Sequence, residues 1–248
     1  MTQNIFFKHL QHSKKKEEDG DDFLKVQVLY NTCALHIKKV LSSISCASDI
    51  VLVQESAKNI VEFINKDCCT IESLTKILEH DYYTHSHCIN VGFYAIFFGK
   101  ILKLTKKELE DLGTAALLHD LGKSKINVNI INKNGKLTDF EFANMKEHPI
   151  LGYELAKVYG ITNSKILIGI KHHHERLDGY GYPDNLLSDE IKLFPKIIAM
   201  CDVFDALTTK RSYKEAMSSF EAFKIMKSDI YHFDEKLLKK FMHMMVKN

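Results

Sequence analysis

Three short signatures, Thr105-x-x-Glu108, Thr138-x-x-Glu141 and Ser218-x-x-Glu221, each set a hydroxyl three residues ahead of a carboxylate at the head of an apolar-periodic run. In such a capping box the two side chains satisfy backbone N–H groups that the first helical turn leaves without partners, so each signature opens a helix. From Phe23 to about Asn65 apolar residues recur at helical spacing, as in Leu24, Val28 and Leu35 and then Ile50, Val53, Ile60 and Ile64, which predicts two more helices. The 248 residues contain three prolines, Pro149, Pro183 and Pro195, and strand-like alternation bounded by turns is hard to find. The expected fold class is all-α, with at most a small hairpin in 126–137, where Asn134-Gly135 could turn. The stripes Phe93, Ile96, Phe97, Leu102 and Phe220, Phe223, Ile225, Met226 read as core.

Residues 1–22 read as a flexible leader, because KKKEEDGDD at 14–22 holds no apolar residue to offset its ordering entropy. Residues 23–70 then form an N-terminal helical segment without a recognisable sensor motif, and 71–248 hold the chemistry. With 34 basic against 32 acidic side chains the formal charge is +2, so no overall field favours nucleic acid or an anionic membrane. The uncharged apolar stretch Cys88 to Gly99 is closed by Lys100 and falls well short of the roughly 20 residues a bilayer demands, which argues against membrane insertion. The first twenty residues lack a signal-peptide pattern, and the expectation is a cytoplasmic protein. Six cysteines without a CxxC pair read as reduced, mostly buried thiols.

The unusual count is thirteen histidines, and they cluster. His119-Asp120, followed by Gly122-Lys123, ends the apolar helix that begins near Thr105. Neighbouring side chains point about 100° apart on a helix, so these two meet on one ion only at the helix end or if the carboxylate bridges two ions; a buried histidine with a capping Asp fits equally well. His172, His173 and His174 run into a turn rich in glycine, tyrosine and proline, Asp178 to Pro183, which suits either a rigid loop beside a pocket or an exposed polar face. Asp202 sits among Ile197, Ile198, Val203 and Phe204, where a carboxylate needs a partner, and the surplus of imidazoles points to a metal ion.

Taken together, DYYTHSHCINV (81–91), LLHDLGK (117–123), EHPILGYEL (147–155), HHERLDGYGYP (173–183) and IIAMCDVFDALTTKRSYK (197–214) resemble, in order, the motifs of the HD-GYP family, a branch of the HD-domain metal-dependent phosphohydrolases. The resemblance implies an HD-domain helical bundle over 71–248. It implies a dinuclear metal centre, of iron or manganese, with zinc, magnesium, nickel or cobalt as alternatives. One ion would be held by His87, His119, Asp120 and Asp202, and a second by His148, His173 and His174, with Asp120 bridging. Asp120 and Lys123 would be catalytic, the lysine stabilising charge beside a bridging hydroxide that attacks phosphorus. The implied substrate is cyclic di-GMP, a bacterial second messenger, contacted by Tyr182, Asp205, Arg211 and Lys214. Another dinucleotide such as cyclic GMP-AMP, or a non-catalytic receptor for cyclic di-GMP, are the alternatives; a homodimer or a signalling-protein partner would suit the N-terminal helices.

Departures from the family pattern carry information. Where some relatives place a glutamate one turn before the first histidine to hold a third metal, this chain has Tyr83, so two metals are expected and the linear product pGpG is favoured over GMP. His85 and His172 fall outside the pattern, and Glu175, Arg176 and Asp178 are expected to shape the loop.

Overall fold

The computed structural model describes residues 18–65, 84–209, 216–229 and 231–246. Their helices are α1 (Glu18–Ser43), α2 (Ala47–Ile64), α3 (Thr84–Ile101), α4 (Lys106–Leu118), α5 (Val128–Ile131), α6 (Asp139–Met145), α7 (His148–Val158), α8 (Ser164–Lys171), α9 (Leu193–Thr208), α10 (Ser219–Ser228) and α11 (Glu235–Val246). A 3-10 turn, Leu121–Lys125, follows α4. No strand forms among the described residues; a single antiparallel bridge joins Asp178 to Leu187. The all-α expectation holds.

All three capping boxes form. Thr105, Thr138 and Ser218 each accept the N–H of the glutamate three residues on, and each glutamate carboxylate accepts the N–H of its capping residue. The helix α4 is central, packing against α2, α3 and α8 with Leu109, Leu112, Ala115, Ala116, Leu117 and Leu118 buried. Gly113 lets α3 close in, since a Cβ there would lie 2.5 Å from Ile96 Cδ1. Helix α9 lies against α3, α8 and α10. Both N-terminal helices join the same core: α1 packs on α2, α3 and the 3-10 turn, and α2 packs on α4.

The structure corrects three sequence expectations and shows which face of α1 is covered. Helix α1 begins at Glu18, inside the expected 1–22 leader, and an acidic stretch is a composition that a helix N-terminus favours. Leu24, Val28 and Leu35 are 57, 45 and 70% exposed; the buried stripe of α1 is Val26, Leu29, Tyr30, Cys33, Ile37 and Val40. This helix carries two apolar stripes, and contact with α2 and α3 decides which one is covered. The hairpin in 126–137 is absent: the Asn127 side chain accepts the Asn129 N–H and starts α5. Gly135 still turns the chain, at φ +105°. On α10, Ala222, Phe223 and Met226 are buried, whereas Phe220 and Ile225 lie exposed. Among the described cysteines Cys33, Cys88 and Cys201 are buried free thiols and Cys46 is an exposed one.

Candidate metal centre

The ends of four helices meet at one place. His87 comes from the first turn of α3, His119 and Asp120 from the end of α4, His148 from the first residue of α7, and His173 and His174 from just beyond α8. Asp202 reaches in from the middle of α9. The structure therefore brings together every metal-ligand candidate named from sequence. Within each of three sets, His148/His173/His174, His87/His119/Asp120 and His119/His173/Asp202, the ligand atoms lie within 4.8 Å of one another.

Three of the imidazoles are oriented by the same local device. Each Nδ1 donates to a backbone carbonyl three residues earlier: His119 to Ala116, His148 to Met145 and His173 to Ile170, all at 2.7 Å. A carbonyl can only accept, so the proton is on Nδ1 and each Nε2 turns a lone pair inward. The Nε2 atoms of His148 and His173 approach to 3.3 Å. Two lone pairs cannot make a hydrogen bond, and a cation between them removes the conflict. His119 Nε2 and Asp120 Oδ1 are buried without a hydrogen-bond partner, the second lying 3.4 Å from His148 Nε2. Such orphaned atoms are costly unless something absent from the polypeptide satisfies them, and imidazole plus carboxylate is a donor set that first-row divalent metals accept.

The charge states fit. Burial pushes His119 and His173 below the ordinary imidazole range, and lowers His148 to about 4 and His174 to about 3, so all four are neutral and able to coordinate near pH 7. Burial opposes ionisation of Asp120 and Asp202 too, yet Lys123 beside the first and His87 beside the second outweigh it, and both carboxyls titrate well below their usual range. Lys123 Nζ donates to Asp120 Oδ2 at 2.6 Å, and this pairing keeps the ammonium charged against its own burial.

Asp205 requires a correction. It was expected to touch substrate, but it is 1% exposed and both oxygens are engaged within the fold. Its Oδ2 accepts from His87 Nδ1 at 2.7 Å, and its Oδ1 accepts from Asn90 Nδ2 at 2.8 Å and Thr209 Oγ1 at 2.9 Å. Asp205 thus aims His87 Nε2 at Asp202, 3.0 Å away. Burial pulls the His87 pKa down, but the carboxylates of Asp202 and Asp205 outweigh it and raise it to about 10. Partners that orient a ligand in this way typically govern metal affinity by about 10–100-fold. Asp205→Asn is therefore expected to weaken metal binding by roughly that factor, read by competition with a chelating dye, while circular dichroism stays native. Undiminished affinity would show that His87 needs no such support.

The loop after α8 is built as the sequence implied. Glu175, 3% exposed, accepts the Asp184 and Leu186 N–H groups at 2.7 and 3.0 Å. Arg176 binds Asp178 and, through Nη1 and Nη2 at 3.0 Å each, Asp229 beyond α10. A Cβ on Gly181 would fall 2.3 Å from the Arg176 nitrogen, so only glycine lets the loop double back. His172, outside the family pattern, holds Asp184 at 2.8 Å together with Lys171 at 2.6 Å. Tyr182 is thereby placed beside the cluster, its ring stacked 4.7 Å from that of His174. Tyr83, Arg211 and Lys214 lie outside the described residues, as does the side chain of His85.

Sequence reasoning missed Asn90, Thr209, Asp184 and Asp229. Asn90 carried a usable signal, since it sits one turn from His87 on α3 and so shares its face. Asp229 gave none, because its pairing with Arg176 is purely tertiary.

A family model described as HD domain matches residues 64–237. The chain belongs to the HD domain family. Among curated relatives, this chain is 35% identical over 195 residues to a cyclic di-GMP phosphodiesterase of Pseudomonas aeruginosa, covering 79% of this chain and 46% of the relative. It is 34% identical over 165 residues to a 3'3'-cGAMP-specific phosphodiesterase of Vibrio cholerae, covering 66% of this chain and 35% of the relative. The chain thus spans less than half the length of either. A solved HDG"Y"P protein from Bdellovibrio bacteriovorus superposes with a TM-score of 0.77 over 97% of this chain and 76% of its own, at 18% identity, a likeness of fold. No described helix of this HD domain is long and apolar enough to cross a membrane.

Proposed function

We propose that this chain is a metal-dependent phosphodiesterase that hydrolyses cyclic di-GMP to pGpG. The observation that carries the reading is the convergence of buried neutral imidazoles on ionised Asp120 and Asp202, with His119 Nε2 and Asp120 Oδ1 left unsatisfied. The naming of a relative as a cyclic di-GMP phosphodiesterase supports the substrate. His87, His119, Asp120 and Asp202 would hold one metal ion, and His148, His173 and His174 a second shared through Asp120, iron or manganese suiting this imidazole-rich set best. Bound there, such cations supply Lewis-acid polarisation of a phosphodiester and acidify water within their reach.

The chain's own groups do the rest. Lys123, 27% exposed and held on Asp120, sets a fixed ammonium where negative charge grows on phosphorus. Tyr182 lines the approach to His174 and His148. Arg211 and Lys214, following α9 in sequence, are assigned to the phosphodiester that is not cut. We place the activity in the cytoplasm, where a diffusible second messenger is met. Cyclic GMP-AMP is a second reading, supported by the Vibrio cholerae relative named as specific for it.

The test combines elemental analysis of anaerobically purified protein with chromatography of the products from cyclic di-GMP. About two metal ions per chain with pGpG accumulating is the expected result. Full metal loading and tight binding without turnover would make the chain a receptor, and neither binding nor hydrolysis would remove cyclic di-GMP as the ligand.

A further inference from the structure

The support of His87 does not stop at Asp205. Asn90 is buried, and its amide works in two directions: Nδ2 donates to Asp205 Oδ1 at 2.8 Å, and Oδ1 accepts from the Tyr30 hydroxyl at 3.4 Å. A carboxylate can only accept, so the amide nitrogen is the end that meets Asp205, and the amide oxygen is thereby turned towards Tyr30. The result is a chain of side chains from Tyr30 through Asn90 and Asp205, whose last link is the 2.7 Å contact of Asp205 Oδ2 with His87 Nδ1. Tyr30, Asn90 and Asp205 are all buried, so water is a poor substitute for a lost link. Tyr30 belongs to α1, which precedes the residues 64–237 matched by the HD domain model. Two further contacts fix that helix against the centre. The Tyr30 ring stacks on Phe93 with centroids 6.5 Å apart, and α1 packs on the 3-10 turn Leu121–Lys125 that carries Lys123. Asn90 and Phe93 stand three residues apart on α3, so the hydroxyl and the ring of Tyr30 engage neighbouring turns of the helix that presents His87.

We propose that Tyr30 is a positioning residue of the metal centre, holding His87 through Asn90 and Asp205, so that the N-terminal helix α1 takes part in building the centre. The inference rests on the metal centre proposed above and extends its support to a helix outside the residues that carry the motifs. Loss of the Tyr30 hydroxyl takes that donor from a buried amide oxygen, and a buried acceptor deprived of a partner is costly. Rotation of the amide relieves the cost but draws Nδ2 off Asp205, which then keeps Thr209 and His87 alone. A carboxylate held by fewer partners orients its imidazole less sharply, and a less sharply oriented imidazole binds metal less tightly. The Tyr30 contact is long for a hydroxyl donor, which sets its expected effect below that of Asp205.

The test measures the Mn²⁺ affinity of the full chain by competition with a chelating dye, in a double-mutant cycle of Tyr30→Phe and Asp205→Asn. Tyr30→Phe keeps the ring on Phe93 and removes only the hydroxyl. It is expected to weaken binding by about three- to tenfold, less than the roughly 10–100-fold expected of Asp205→Asn, because it acts two links further from His87. In the Asp205→Asn background, where the chain is already cut, the same change is expected to have no further effect. A role in stability alone would lower Tm and leave the affinity unmoved, and action by another route would make the two losses multiply; either result overturns the proposal. Failure of the readings beneath it looks different. A wild type that takes up no Mn²⁺ removes the centre and Tyr30 with it, whereas metal binding without hydrolysis of cyclic di-GMP removes only the proposed reaction and leaves the cycle to decide on Tyr30.

Discussion

Asp120→Ala is expected to lower hydrolysis of cyclic di-GMP by on the order of 10³-fold or more, the scale of losing a principal electrostatic group at a reacting centre, and to leave the purified protein without bound metal. Asp120 is the carboxylate that both imidazole sets share: His119 Nε2 lies 3.5 Å from its Oδ2 and His148 Nε2 lies 3.4 Å from its Oδ1. Under the proposed assignment its removal would take a ligand from both ions at once, whereas loss of His174 would deplete one. It also frees Lys123, whose ammonium is held by the 2.6 Å contact with Oδ2 and would no longer be aimed at the substrate. The fold has little reason to collapse, because α4 remains capped at Thr105 and buried along Leu109 to Leu118. Elemental analysis, product chromatography and far-ultraviolet circular dichroism on one preparation separate these effects. Native dichroism with metal and turnover both lost is the expected triad of results; a variant that keeps wild-type metal content and rate would remove the shared-carboxylate arrangement.

What could be read from sequence was what short-range chemistry fixes. A capping box is complete within four residues, and so Thr105, Thr138 and Ser218 announced their helices without help from the rest of the chain. The ligand candidates came instead from a resemblance in motif order, since His119-Asp120 alone fitted a buried histidine with a capping Asp equally well, and the structure brings those candidates together. Facing was not legible. Leu24, Val28 and Leu35 satisfy helical spacing as well as Val26, Leu29 and Cys33 do, and only the packing of α2 and α3 selects the second set. Asp205 shows the same limit inside the site. It lies three residues after Asp202 on α9, so both fall on one face, but whether it meets a substrate or His87 depends on where α3 crosses.

The glycine of LLHDLGK separates a packing requirement from a conformational one. Gly122 lies between Asp120 and Lys123 where the 3-10 turn crosses α7, and a Cβ built on it would sit 1.9 Å from His148 O, 2.5 Å from Gly152 N and 2.8 Å from His148 C. These are backbone atoms, so no side chain can rotate away. Relief to ordinary contact at 3.4 Å requires the turn and α7 to part by about 1.5 Å. That displacement falls between Asp120 and His148, which are 3.4 Å apart and belong to the same centre. Misplacement of about 1 Å at a reacting centre costs on the order of 10²-fold in rate, and overpacking of this kind costs about 1–3 kcal/mol of stability. Gly122→Ala should therefore lose at least about a hundredfold in hydrolysis, together with weaker metal retention and a fall in Tm of roughly 3–10 °C. Gly135→Ala is the matched control: no atom lies within 4 Å of its Cβ, but its φ of +105° strains an alanine. It should lower Tm by a few degrees at about wild-type activity, since strain in the 126–137 connection is remote from the imidazoles. If Gly122→Ala instead behaves like Gly135→Ala, the close crossing of the turn and α7 does not hold Asp120 against His148, and the alignment of the two halves of the centre must come from α4 and α8 alone.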